Sequence, residues 1–526
     1  MTLDAFHPLL PAEEQLLAEC EGPERITVGT GECPVDGDEL DTLSAEIRAD
    51  VLRLLMLGRL GKTLLPEKGL RLRGAFISGA LDLQGAVLPY DLSFTDCRLS
   101  HPIEMVNARV RGLYFSGCVL VGLSADNAHF DGSLFLRGES VVNGDISLSG
   151  VRIEGDMQFC GCTLHTPGQD AIFAPSLQID GSLFLGNYPY SNDETALEAD
   201  GALFLSSAEI ANDVFITNCA VAPRQDLPID QIFSSSEEHG ADIAISFARA
   251  RIGGILYFKD NQIARGTVSL AGASAGRLRD EPAGPGATYR IRLDGFTYDD
   301  FSRHSETGLA ARLKWLERRP RDTPFTAQPY EHLARVLMHM GHRTDARTVL
   351  MRKEQIIRRE DRRILRQQGR SMRFGLAVCG DAVMRFAVGY GYRPGRVLAL
   401  ALAMIFSLGV FFHYTWKAGD MTPNAAPILI SKDWIAATRS HPDNPGAYWS
   451  QVGQAGQDWE TFQAFAYAAD LVIPIVSLGQ EDAWAPSTSR SDLGRLAWWI
   501  RWFAKALGWI ITALGAAAVT GAVRQD

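Results

Sequence analysis

From Leu70 to Leu164 the chain places an apolar side chain almost always every five or six residues: Leu72, Ile77, Leu83, Leu88, Phe94, Leu99, Met105, Val110, Phe115, Leu120, Ala125, Phe130, Leu136, Val141, Leu148, Ile153, Phe159 and Leu164. A second, often smaller apolar residue stands two positions earlier, as at Ala75, Ala86, Cys97, Ala108, Cys118 and Ala128. Such a spacing fits neither the 3.6-residue turn of an amphipathic helix nor the two-residue alternation of a half-buried strand. It fits a coil that turns a corner every five or six residues. Each short side then points its centre inward, and four sides close a turn of about 21 residues that stacks on the next.

The same spacing continues more loosely through Leu183/Leu185, Leu203/Leu205, Val214/Ile216, Ala250/Ile252 and Val268/Leu270, broken by polar insertions at about 186–198 and 222–241. These predict loops leaving the corners, where repeat proteins carry binding surfaces. Residues 69–278 are therefore the expected coil. An uncovered end would offer unpaired backbone to other chains, so residues 1–68 are expected to cap it with helices at Pro11–Glu19 and Glu39–Gly58. Across 279–375 the period becomes helical. Leu309, Leu313, Trp315 and Leu316 predict one helix, while Tyr330–Met340 and Thr344–Arg358 predict a tetratricopeptide-like hairpin that packs on the coil end or on a partner.

Residues 376–526 have the pattern of a membrane domain. Val397–Trp416 carries no charge and is long enough to cross about 30 Å of hydrocarbon. Leu507–Val523 is a second candidate span, preceded by Trp498, Trp499 and Trp502 as an interfacial belt to which Arg501 and Lys505 can snorkel. Residues 343–373 hold eleven Lys or Arg against four acids, whereas the loop 417–495 holds five against nine. Cations gather on the cytoplasmic flank of a span, so the coil and both termini are expected in the cytoplasm and the loop outside an inner (cytoplasmic) membrane crossed twice. Arg352, Lys353, Arg358, Arg359, Arg362, Arg363 and Arg366 are the candidates for setting this topology or gripping anionic lipid headgroups.

Thr461–Trp484 is the candidate functional segment. Phe462–Asp470 predicts a short helix, Leu471–Leu478 is apolar but broken by Pro474, and a polar glycine turn follows. A membrane helix, an apolar half-helix, a glycine turn and a second membrane helix is the layout of two-helix pores. Asp470, Pro474, Ser477, Gly479, Gln480, Glu481 and Asp482 are the candidate pore or re-entrant residues. Two other readings remain open: an interfacial helix anchored by Trp459, Tyr467 and Trp484, or an external binding turn.

Net charge and cysteines narrow the function classes. With 51 basic residues against 62 acids, a net charge of −11 argues against nucleic acid as a partner. Cys97, Cys118, Cys162 and Cys219 fall in the small-residue slot of the repeat, where they fill core. Cys160 and Cys162 should alternate between outside and inside.

The repeat resembles the pentapeptide-repeat family in a degenerate form. Ala75 with Ile77, Ala86 with Leu88, Cys97 with Leu99 and Cys118 with Leu120 carry the resemblance, which implies a right-handed four-sided β-helix. Adding Val388-Gly-Tyr-Gly-Tyr-Arg-Pro394 and Leu471-Val-Ile-Pro-Ile-Val-Ser-Leu-Gly-Gln480 with Trp484, the chain is similar from about Glu39 to a bacterial membrane-protein family often labelled membrane-associated oxidoreductase. The residues themselves carry no redox motif: Gly389-Tyr-Gly391 lacks a third glycine, and no reactive CxxC or haem spacing is present. The expectation is a non-enzymatic protein without cofactor or metal, partnered by membrane lipids and by another protein or copies of itself. It would be an interaction scaffold or sensor, with a solenoid-regulated oligomeric pore as the alternative.

Overall fold

The structure is a computed structural model that describes residues 3–35, 43–60, 65–191, 195–222, 242–263, 266–282, 284, 288–320, 324–368, 371–383 and 395–519. The motif 388–394, the insertion 223–241 and the residues after 519 lie outside the described residues. The chain divides into two compact units, Met1–Val349 and Leu350–Asp526.

The first unit is a parallel β-solenoid of about nine turns with helices at both ends. Its strands pair in parallel with their counterparts one turn later. Leu123–Ser124, His129–Phe130, Leu134–Arg137 and Ser140–Val142 thus pair with Ile146–Ser147, Arg152–Ile153, Met157–Cys160 and Cys162–Leu164. Leu72, Phe94, Phe115, Leu136, Phe159, Leu185, Ile216 and Phe258 stack in register as one buried column. Burying each such side chain is worth roughly 1.5–3 kcal/mol. The repeat pattern names the inward residues almost throughout. At Val141 the frame slips by one, because the turn at Gly138-Glu139 points Ser140 and Val142 inward and leaves Val141 half exposed.

One corner recurs almost unchanged in every turn. Ala108 N donates to Met105 O, Ala128 N to Ala125 O, Val151 N to Leu148 O, Ala208 N to Leu205 O and Ala250 N to Phe247 O. The residue before each of these donors is left-handed: Asn107 (φ 58°), Asn127 (φ 55°), Gly150 (φ 65°), Ser207 (φ 59°) and Arg249 (φ 59°). This is the geometry of a type II turn, which needs positive φ at its third residue. Asn and Gly take that conformation readily; Ser and Arg do so at a cost.

Both ends depart from the simplest sequence pattern. Pro11–Glu19 is a helix, but 39–58 is not one continuous helix: Glu46–Arg48 is a strand paired with Phe76–Ser78, and only Ala49–Met56 follows as a helix. Arg48 donates to the buried Glu13 carboxylate at 2.6 and 2.8 Å, tying the first helix to that strand. At the other end the strands continue past 278, through Arg290–Arg292 and Thr297–Phe301. Leu309–Glu317 then covers the last turns with Ala311, Arg312, Trp315 and Leu316. Arg312 is fully buried and reaches Asp280 through two hydrogen bonds of 2.9 and 2.6 Å. The hairpin helices are Gln328–His339 and Arg343–Gln367, and His332 of the first meets the backbone of Tyr298 in the last strand at 2.9 Å.

In the second unit, Gly395–Lys417 is the one helix among the described residues long and apolar enough to cross a membrane, where the sequence suggested two. Residues 507–519 belong to the helix Asp492–Val519, whose first half carries Asp492, Arg495, Arg501 and Lys505. Arg501 and Lys505 both pair with Glu481, at 3.0 and 2.9 Å.

Candidate functional site

The residues singled out between 461 and 484 form one folded hairpin held between the two long helices of the second unit. Ala464–Val472 is a nine-residue helix, followed by non-helical backbone and the short helix Gln480–Ala483. Phe462 stacks on Trp416 at 4.9 Å, Tyr467 meets Phe412 edge-on at 4.8 Å, and Phe465 meets Phe406 at 5.9 Å. Trp416 marks the end of Gly395–Lys417, so the segment descends beside that helix by nearly three turns. It then returns, since Trp484 packs edge-on against Trp416 at 5.0 Å.

Two glycines admit this wedge. A Cβ at Gly409 would stand 2.4 Å from the Phe465 ring, and one at Gly508 would stand 2.6 Å from the carbonyl oxygen of Leu471. The three elements share a core of Phe412, Phe462, Tyr467, Leu471, Trp484, Ala497 and Ala504.

Asp470 organises the return. Its carboxylate, almost fully buried, accepts the backbone N–H groups of Leu478 (2.5 Å), Gln480 (2.8 Å) and Glu481 (3.1 Å). These are donors that the start of a short helix would otherwise leave open. Gln480 is buried as well; its Oε1 accepts from Gln463 N at 2.8 Å, and its Nε2 donates to Glu460 Oε1 and Thr461 O. Gly479 has φ of 80°, so the turn needs a residue free to adopt a left-handed backbone. Glu481 is fixed by Arg501 and Lys505, whereas Asp482 is exposed. Pro474 and Ser477 lie on the open stretch 473–478, where Ile475 is 74% exposed and Val476 and Leu478 about half exposed.

The structure therefore brings together Asp470, Gln480 and Glu481, with Gly479 between them. Pro474 and Ser477 stand apart on the exposed tip. Tyr467 and Trp484, two of the three aromatic anchors expected, are fully buried, and the partly exposed Trp459 donates its Nε1–H to Ala483 O at 3.2 Å. Sequence reasoning missed Glu460 and the two wedge glycines. Their only signal was a glycine in an otherwise bulky apolar helix.

The seven juxtamembrane cations separate into distinct environments. Arg358 and Arg362 approach Asp381 of the helix Ser371–Val383 at 3.9 and 3.1 Å, and Lys353 is buried beside Glu354. Arg352 reaches Gln355 at 3.5 Å, while Arg359, Arg363 and Arg366 are exposed.

The solenoid offers a second concave surface. A cavity of about 470 Å³ lies on the outer face of the sheet formed by Cys162–Leu164, Leu197–Ala199, Cys219–Val221 and Gln262–Ile263. Its lining is mostly apolar, from Leu164, Ala199, Val221 and Ile263 among others, with polar groups added by His165, Glu198 and Asp200; His165 Nδ1 lies 3.3 Å from Asp200. On another outer face, Phe184, Phe215 and Tyr257 stack at 4.9 and 4.3 Å. Cys160 packs outward against this stack beneath Tyr188, from the insertion after Gly186, while Cys162 faces inward, so the pair alternates as expected but both thiols are buried, and burial raises both above their ordinary pKa.

One group among the described residues has metal-ligand composition: His129, Asp131 and Glu154. Arg109 donates to both oxygens of Asp131 at 3.0 and 3.2 Å, and His129 Nε2 lies 3.2 Å from Glu154. It continues the cross-turn ion pairs Arg73–Asp96, Arg152–Asp180 and Arg251–Glu209. Comparisons with known protein families, curated proteins and solved structures find no match for this chain.

Proposed function

We propose that this protein is a membrane-anchored subunit of an oligomeric pore, with the β-solenoid as its cytoplasmic assembly or regulatory platform. One observation carries the reading: an apolar half-helix that descends between two long helices and returns through the non-helical, exposed stretch 473–479. Backbone of this kind is tolerated at membrane depth only where protein or water covers it. Copies of the subunit arranged around an axis would supply that cover, with the turn Ser477–Gln480 lining the path. The interfacial-anchor alternative loses its support with the burial of Tyr467 and Trp484. The charge asymmetry between 343–373 and 417–495 supports a cytoplasmic solenoid in an inner membrane. The sets of four strands favour a four-sided coil, and the resemblance of its repeat favours right-handed winding and the bacterial membrane family named above.

The second reading is a membrane-tethered scaffold or sensor. The mainly apolar cavity over residues 163–165, 198–200 and 262–263 favours it. Conductance distinguishes the two. Purified, oligomeric protein in planar bilayers should pass cations, Gly479→Val should abolish the current, and Asp482→Lys should reduce cation preference. Silent bilayers from well-folded oligomeric protein, across voltages and ions, would discard the pore and leave the scaffold.

A further inference from the structure

We infer that Arg359, Arg363 and Arg366 form a docking stripe for the anionic headgroups of the membrane that anchors this chain. The inference rests on the membrane-anchored reading but not on the pore. The sequence offers seven cations as one basic stretch, and the structure divides them. Arg358 and Arg362 are directed to Asp381, Lys353 to Glu354 and Arg352 to Gln355. Arg359, Arg363 and Arg366, spaced by four and three on the helix Arg343–Gln367, share one exposed stripe. Of the neighbouring acids, Asp361 lies on the far side of the helix and Glu360, three residues before Arg363, borders the stripe.

Guanidinium groups suit this role because their planar fork holds phosphate oxygens in pairs. The stripe is cationic on a chain whose net charge is −11, which disfavours a long polyanion such as RNA that must also pass the acidic surface. A membrane meets only the stripe. Each cation near an anionic leaflet strengthens attachment roughly fivefold, so three together amount to roughly a hundredfold.

The test uses the full chain in nanodiscs of phosphatidylcholine, alone or mixed with phosphatidylglycerol. A polarity-sensitive fluorophore on Gln367→Cys reports the stripe, with the chain lacking that cysteine as the background. Phosphatidylglycerol should shift the probe to an apolar signal, and salt should reverse the shift. The triple variant Arg359→Gln, Arg363→Gln, Arg366→Gln should lose it, with the headgroup titration weakened roughly a hundredfold. Arg352→Gln should behave as the parent. Equal signals in both lipids, or a triple variant like the parent, would overturn the stripe. Release of the chain by carbonate extraction would instead overturn the anchoring itself. Capture of the stripe by added single-stranded RNA, with loss of the lipid response, would assign it to nucleic acid and overturn the lipid assignment.

Discussion

Replacing Arg312 with Met should loosen the C-terminal end of the solenoid while leaving its middle intact. The guanidinium is fully buried, bonded to both oxygens of Asp280, and lies over the ring of Phe301 at 4.1 Å. Met fills much of the space but leaves Asp280 buried without its partner. Breaking a buried pair in this way costs about 3–5 kcal/mol. The chain has two units, so no single unfolding free energy describes it, and the effect must be read locally. Hydrogen exchange does this. Amides of Thr297–Phe301 should exchange roughly a hundredfold faster or more, at about 1.4 kcal/mol per tenfold. Those of Leu134–Arg137, in mid-coil, should be unchanged. Adding Asp280→Leu should restore most of the protection, because two apolar side chains leave no charge stranded. Wild-type exchange in Arg312→Met, or no recovery in the double variant, would refute the claim that this pair locks the end.

Burial holds the His332 imidazole below its ordinary pKa, so the unfolded chain takes up the proton first. Docking of Gln328–His339 should thus be fully stable above about pH 6.5 and weaken as the pH falls below it; His332→Gln should flatten that slope in melting curves, and an unchanged slope would place the acid sensitivity elsewhere. Ser176, at φ of 58°, should gain about 0.5–1 kcal/mol on conversion to Gly, the relief of left-handed strain less the entropy Gly loses on folding; a lower denaturation midpoint would contradict this. Leu120→Asp should disrupt the coil by burying an unpaired charge, while Arg111→Asp at the exposed surface should leave its circular dichroism nearly unchanged. A cysteine at Asn444 should react with an impermeant thiol reagent on intact cells and one at Ser274 should not; the reverse pattern would invert the proposed topology.

The solenoid was legible because its period belongs to the backbone. Each inward position repeats against the same neighbours, and Leu72 through Phe159 needed no knowledge of distant partners. Where a second layer intervenes, the pattern fails. Ile47 falls at helical spacing yet lies in a strand, since pairing with Ile77 outweighs local preference. Cys160 points outward as its position implies, yet Tyr188 covers it. The hairpin's helix was legible within two residues, but its anchoring was not. Nothing local says that Asp470 collects three backbone N–H groups, or that Glu481 is claimed by Arg501 and Lys505 from another helix.

The left-handed corner gives the coil a spine and a seam. From that corner through the next two strands the chain hardly changes length: Phe159 follows Leu148 by eleven residues, Leu185 follows Ala174 by eleven, and Ile216 follows Leu205 by eleven. Whole turns meanwhile lengthen, since Phe159 pairs with Leu185, Leu185 with Ile216, and Ile216 with Phe258. All the extra chain therefore leaves on the flank around the strands 162–164, 197–199, 219–221 and 262–263. Along that seam new segments can be spliced in or cut out without moving a single inward side chain, and the 470 Å³ cavity opens there. Deleting one residue between Leu205 and Ile216 would throw every later rung out of step. Lineages of this fold should accordingly drift in length on one side only, and an inserted tag or domain will be carried after Gly186 and rejected at Ser207.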